Sequence, residues 1–199
     1  MDTADGRRAN ELAVLYDITR DLGTQPDLPT LLDVIAERAM ALLAAPAGNI
    51  YLYDAQRREL EQVAGKSPVP LGTRLHLGEG VAGQVAQTLQ PILVHDYRAW
   101  ANRSAHYEGV AVTAVVGVPM LYGADLIGVL AVAEIGTTQR QFTTTDMHLL
   151  ALFAGLAASA VYNARLVVET RLLEELDRLR TDFIATLSHN LRTPLTAVR

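Results

Sequence analysis

The chain has 199 residues, 50% of them hydrophobic and 20% charged, enough to bury a core and too apolar for a wholly disordered or collagen-like protein. It contains no cysteine, which removes disulfides, thiolate metal sites, iron–sulfur clusters, thioether-linked chromophores and thiol catalysis together. A formal net charge of −5 is not the basic footprint of a nucleic-acid binder, and the length suits one domain plus an appendage.

The first residues, MDTADGRRANEL, are charged and carry no apolar stretch after a basic start, so no signal peptide is expected. Leu12, Leu15, Tyr16, Thr19 and Leu22 recur at helical spacing over Asn10 to Leu22, with Gly23 as a stop. A second helix is expected over Thr30 to Leu43, preceded by Pro29 in its first turn and turning Leu31, Val34, Ile35 and Met40 inward. The period then changes. Asn49 to Asp54 and Glu59 to Ala64 flank a polar turn and read as a hairpin. Gly65 to Gly72 is a Gly/Pro loop, LHL a short strand, and Val81 to Leu89 a short helix in which Gly83 allows close packing. Pro91 to Asp96 is a strand and Tyr97 to Glu108 is irregular and aromatic. Two long apolar strands follow, Ala111 to Leu121 and Asp125 to Glu134, joined by a tight YGA turn.

Thr143 is the expected N-cap of the last helix, with Asp146 returning the bond three residues on, as in a capping box. Nothing stops that helix before Pro194, a run of roughly 50 residues and about 70 Å. Met147 to Ala164 has no formal charge, yet it contains His148, Ser159, Tyr162 and Asn163 and is rich in Ala and Gly. A buried core helix is therefore expected there rather than a membrane span, and the chain is expected to be soluble and cytoplasmic. Leu172, Leu176, Leu179 and Phe183 continue at 4-3-4 spacing, a coiled-coil seam that predicts a parallel homodimer. The alternative is one amphipathic helix packed on its own domain.

The segments GEGVAGQVA, PILVHD, VVGVPMLYGADLIGVLAV and FTTTDMHLLALFAGLAASAV, in that order, resemble a GAF domain over residues 10–165. The resemblance implies an α/β (α+β) fold with a central antiparallel sheet, flanking helices and a ligand pocket on one face. Residues 166–199 would then form a coiled-coil signalling helix and the start of a second domain. There DFIATLSHNLRTPLTAV (Asp182 to Val198) resembles the phosphoacceptor box of sensor histidine kinases. The resemblance implies that His189 attacks the γ-phosphate of ATP, and the ordinary imidazole pKa of about 6.5 leaves the ring mostly neutral at pH 7. Thr193 matches the position that helps place water for dephosphorylation of the response regulator. The family has Glu or Asp after the histidine; here Asn190 can fix the ring tautomer but cannot take its proton, so slow autophosphorylation is expected. No ATP-binding half follows, so the chain is expected to be a piece of a larger kinase, unable alone to transfer phosphate. Its partners would be a second copy, a receiver domain and an unidentified small ligand, with ATP and Mg²⁺ held by the absent domain.

The pocket's occupant is less determined. Lys66 is the only lysine, so the Asn-Lys motif associated with cyclic-nucleotide GAF domains is absent. Without cysteine, a covalent bilin and cysteine-dependent methionine sulfoxide reduction are both impossible. Haem needs an axial ligand; His95 and His106 flank the segment that would cover the pocket, although surface roles are the ordinary reading of both. Tyr51, Tyr53, Tyr97, Trp100 and Tyr107 are candidates to line it, and each can equally pack the core. No metal site is expected. Two functions stand beside the sensor kinase: a ligand-free dimerisation module and a haem-based gas or redox sensor.

Overall fold

The structure, a computed structural model, describes residues 27–136 and 140–196; in the last helix side chains are described through Thr181 and at Phe183 and Ile184. The helix expected over 10–22 lies outside the described residues. Helix α1, Leu28–Leu42, begins with proline in its first turn, where a missing N–H costs nothing. It buries Leu31, Leu32, Ile35, Ala36 and Ala39, while Val34 and Met40 sit half-buried at the edges of that stripe. The two alanines let the helix lie close to the sheet. Gly48 does the same from the other side, since a Cβ there would fall 2.7 Å from Met40 Cγ.

Six antiparallel strands follow the expected order: β1 Ala47–Asp54, β2 Glu59–Lys66, β3 Arg74–His76, β4 Ile92–Val94, β5 Val112–Tyr122 and β6 Asp125–Ile135. In the sheet they lie as β3-β2-β1-β6-β5-β4, so the two long strands and the first hairpin form the centre. The period-two alternation of β1 divides the molecule. Gly48 and Ile50 face α1, whereas Asn49 and Tyr51 line a cavity on the opposite face.

That opposite face is closed by helix α2, Gly80–Thr88, and by the segment between β4 and β5, which holds a single 3₁₀ turn at Ala105–Tyr107. Helix α2 can approach because Gly83 has no side chain: a Cβ there would meet the His76 carbonyl at 2.3 Å. Gly117 of β5 makes room for Val81 and Val85 in the same way.

Helix α3, Thr144–Thr196, opens with the expected capping box. The Asp146 carboxylate accepts from Thr143 N at 2.8 Å, and Asp146 N donates to Thr143 Oγ1 at 3.2 Å. Its first turns bury Leu150, Phe153, Ala154, Ala157, Ala158 and Val161, three and four residues apart, as a core helix must. By length and composition alone, Thr144–Thr181 is apolar enough to cross a membrane, and a third of its most apolar stretch is buried; Leu152 and Leu156 are exposed. Tyr162 stacks on Tyr122 at the end of β5, with ring centroids 3.9 Å apart. The helix continues through Pro194 to Thr196. The chain divides into two compact units, Met1–Tyr162 and Asn163–Arg199. In the second, Leu172, Leu176, Leu179 and Phe183 are all more than half exposed.

Candidate functional site

The cavity between the sheet and α2 encloses about 40 Å³, room for a few waters or a very small molecule in this conformation. Its walls are Ala131, Ala133 and Ile135 of β6, Val112 and Val115 of β5, Val81 and Ala82 of α2, and Asn49 and Tyr51 of β1. Among the described lining residues none carries a formal charge.

Tyr51, Tyr97 and Tyr107 are the expected aromatics that reach the cavity. Tyr51 and Tyr97 are buried, at 2% and 5% exposure. The Tyr51 and Tyr107 hydroxyls are 2.6 Å apart, and the Tyr97 and Tyr107 rings meet edge to face at 6.2 Å. Burial, followed by the neighbouring Tyr107, holds the Tyr51 phenol well above its ordinary pKa, and burial raises Tyr97 too. Both therefore remain neutral O–H groups through the physiological range.

The covering segment is pinned at three points. Tyr97 N donates to Thr113 O at 2.8 Å, and Arg98 Nη2 donates to Gly136 O at 2.7 Å. Ser104, only 2% exposed, donates its hydroxyl to Glu79 Oε1 at 2.7 Å. Glu79 also accepts from His76 N at 3.1 Å through its other oxygen. One carboxylate thus ties the entry of α2, the end of β3 and the cover together. This is the work of the GEGVAG segment: Gly78 (φ +87°) and Gly80 (φ +62°) adopt left-handed backbone on either side of Glu79.

Four of the expected pocket residues are not in its wall. Tyr53 shares the face of Tyr51, but β1 has run past the cavity by then, and Tyr53 packs against the surrounding core. Trp100 leans on Tyr97 from outside, with centroids 5.8 Å apart, and lines a shallow outer groove with His95. His95 and His106 are exposed. Neither histidine lines the cavity, so the haem reading loses its axial ligands. His189, Asn190 and Thr193 lie on α3, and their side chains are outside the described residues. Among the described residues no group of three metal-ligating side chains comes together.

Sequence reasoning missed Asn49, Gln62 and Ser104, three buried polar residues around the tyrosines. Asn49 was legible, since strand alternation puts it beside Tyr51 on one face. Gln62 was not, because nothing in ELEQVA marks its side chain as 99% hidden. Its Oε1 accepts from Tyr51 OH at 3.3 Å, and its Nε2 donates to Val69 O at 3.2 Å.

A pH prediction follows from the tyrosines. Above pH about 10 an unfolded chain releases its phenolic protons, while folded Tyr51 keeps its own. The native state then binds more protons than the unfolded one, so stability falls as pH rises, by up to about 1.4 kcal/mol per pH unit per group. The urea midpoint should drop between about pH 9 and about pH 11, and less steeply in a Tyr51→Phe variant. Equal slopes for the two proteins would contradict this.

Residues 25–161 match the GAF domain family. Among solved structures, the GAF domain of an Acinetobacter phosphoenolpyruvate-protein phosphotransferase superposes with a TM-score of 0.69 at 20% identity, covering 80% of this chain and 97% of that one. Free methionine-R-sulfoxide reductase from Neisseria meningitidis, solved with its substrate, gives 0.68 at 22% identity, covering 84% and 96%. At such identities these likenesses concern the fold. Curated relatives include the Nif-specific regulatory protein of Herbaspirillum seropedicae, 28% identical over 84% of this chain and 32% of its own length. The nitrogen fixation protein VnfA of Azotobacter vinelandii is 27% identical over 87% of this chain and 35% of its own. The chain thus spans about a third of the length of these relatives.

Proposed function

The chain belongs to the GAF domain family, and from that premise we propose that it is the sensory segment of a cytoplasmic histidine kinase. The observation that carries the reading is one helix, α3, which holds Phe153 and Val161 of the GAF core and, further along, His189 in the segment that resembles a phosphoacceptor box. A small molecule in the tyrosine-lined cavity shifts the packing of α3 between two states. Tyr162 stacked on Tyr122 couples the helix to the end of the long hairpin.

Leu172, Leu176, Leu179 and Phe183 pair with those of a second copy in a parallel coiled coil; their exposure in the single chain supports this. Across that dimer His189 takes a phosphoryl group from ATP·Mg²⁺ held by a separate ATP-binding domain, then passes it to a receiver domain. Thr193 serves the reverse, dephosphorylating reaction. Asn190 leaves the ring without a carboxylate to accept its proton, which slows the first step. Neither nucleic acid nor a membrane is a partner of this segment.

The test joins the chain, in register, to the rest of a histidine-kinase phosphoacceptor domain and its ATP-binding domain, and supplies radiolabelled ATP. The protein should acquire acid-labile, alkali-stable phosphate, His189→Ala should acquire none, and Asn190→Asp should label faster, by about tenfold. Labelling that survives His189→Ala would overturn the assignment. The curated relatives favour a second reading, in which the same GAF unit controls a regulator of the Nif-specific type without phosphate chemistry. Complete absence of label in the joined protein would favour it.

A further inference from the structure

The cavity carries one polar feature that its apolar walls do not explain. Asn49 is 8% exposed, and its Oδ1 is buried without a hydrogen-bond partner. An amide can be turned end for end, so the donor sequence around it decides which atom is left over. Gln62 fixes that sequence: its Nε2 donates to Val69 O, so its Oε1 must accept, and Tyr51 OH donates to it. Tyr51 has then spent its proton, so across the 2.6 Å contact Tyr107 donates to Tyr51. Tyr107 has spent its own, and its oxygen accepts from Asn49 Nδ2 at 3.2 Å. The same Nδ2 reaches Ser67 Oγ at 3.2 Å. The chain of four side chains therefore runs in one direction and leaves one buried carbonyl oxygen unpaired on a residue that lines the cavity.

We infer that the cavity is a receptor for a small neutral hydrogen-bond donor, a primary amide or a compact alcohol, held by Asn49 Oδ1 and packed against Val115, Ala131 and Ala133. This rests on reading the cavity as the sensory site. An anion would meet a bare carbonyl oxygen. Ions of either sign would be desolvated with no opposite charge in the wall. Neither Glu79 nor Glu134, each next to a lining residue, lines the cavity; Glu79 is engaged by Ser104 and His76, and Glu134 lies beside Arg140. A molecule that only accepts hydrogen bonds would leave Asn49 Oδ1 unpaired, at a cost that sites built for a donor exploit for selectivity.

The probes are acetamide, N,N-dimethylacetamide, acetate and methylammonium, titrated into the whole chain and read by the thermal midpoint and the Asn49 side-chain amide resonances. A ligand of so few heavy atoms binds no tighter than about tens of micromolar, so millimolar titrations are appropriate. Acetamide should raise the midpoint and shift the Asn49 resonances, with the other three weaker by about tenfold or more. Asn49→Leu should lose the acetamide response while still unfolding cooperatively. Asn49→Asp, nearly the same shape with a carboxylate, should transfer the preference to methylammonium.

Dimethylacetamide or acetate matching acetamide would overturn the ligand class and leave the sensory reading standing. Failure of all four probes also overturns the class. The sensory reading is judged apart from it, by filling the cavity with Ala131→Leu in the joined kinase. Unchanged labelling of His189 in that variant would sink the sensor itself.

Discussion

Gly128→Ala is expected to cost about 3 kcal/mol or more and to leave little folded domain at 37 °C. Gly128 sits in β6 opposite Leu52 of β1, and a Cβ there would stand 2.1 Å from the Tyr51 carbonyl oxygen and 3.3 Å from Leu52 Cα. Those are backbone atoms, held by the ladder on both sides, so no side chain can swing away to make room. The strands must separate, and with them the Tyr51 end of the cavity. Natural domains have only about 5–15 kcal/mol in total. Gly155 supplies the control, because a Cβ there would touch nothing within 4 Å and the residue is exposed in α3. Gly155→Ala should therefore stabilise the protein by about 0.5–1 kcal/mol, the helix preference of alanine. Urea unfolding of the two variants beside the parent decides the matter. A Gly128→Ala protein within about 1 kcal/mol of the parent would mean that this strand pair adjusts more easily than its geometry implies.

The contrast between these two glycines shows what a sequence can and cannot disclose. Hydropathy period marked nearly every described element, because strands half buried in a sheet and helices laid upon it must alternate at two and at three to four. FTTTD disclosed its capping box for a local reason: both partners lie within four residues. Gly128 and Gly155 look alike in the sequence because what distinguishes them is an approach by a strand about 75 residues away. The cavity is a similar case. Tyr51, Tyr97 and Tyr107 were legible as aromatics near a turn-rich cover, but the same composition suggested Tyr53 and Trp100, which pack outside the cavity. Tyr53 lies further along β1 than the cavity reaches, and Trp100 lies against Tyr97 in the outer groove. Asn49 and Gln62 acquire meaning only through a hydrogen-bond sequence that links β1, β2 and the covering segment. His189 belongs to a different kind of legibility, since the role proposed for it rests on a resemblance of the segment around it and on no contact within the described residues.

The second large effect is expected where the sheet hands over to α3. Glu134, 4% exposed, lies near the end of β6, and its Oε1 is 3.2 Å from Arg140 Nη1. Arg140 also donates to the carbonyls of Leu43 and Ala44 at the end of α1, the latter at 2.7 Å, and its guanidinium lies 5.6 Å from the centre of the Phe142 ring. One side chain thus compensates a buried carboxylate and satisfies two carbonyls that a helix end leaves over. Arg140→Met keeps much of the apolar stem and removes the cation together with its donors to the α1 carbonyls. It should cost about 2–4 kcal/mol, chiefly because Glu134 is left charged and uncompensated rather than because the pair is itself worth so much. Arg140 is partly exposed, at 39% of its side chain, so water can partly take its place and the lower half of that range is favoured. Glu134→Gln alone should cost less, since it leaves no buried charge and Arg140 keeps both carbonyls. The double variant should then recover part of the Arg140→Met loss, with a coupling of about 1–2 kcal/mol. Additive losses in that cycle would show that Arg140 acts through the α1 carbonyls alone, and the join between β6 and α3 would then depend on helix capping rather than on charge.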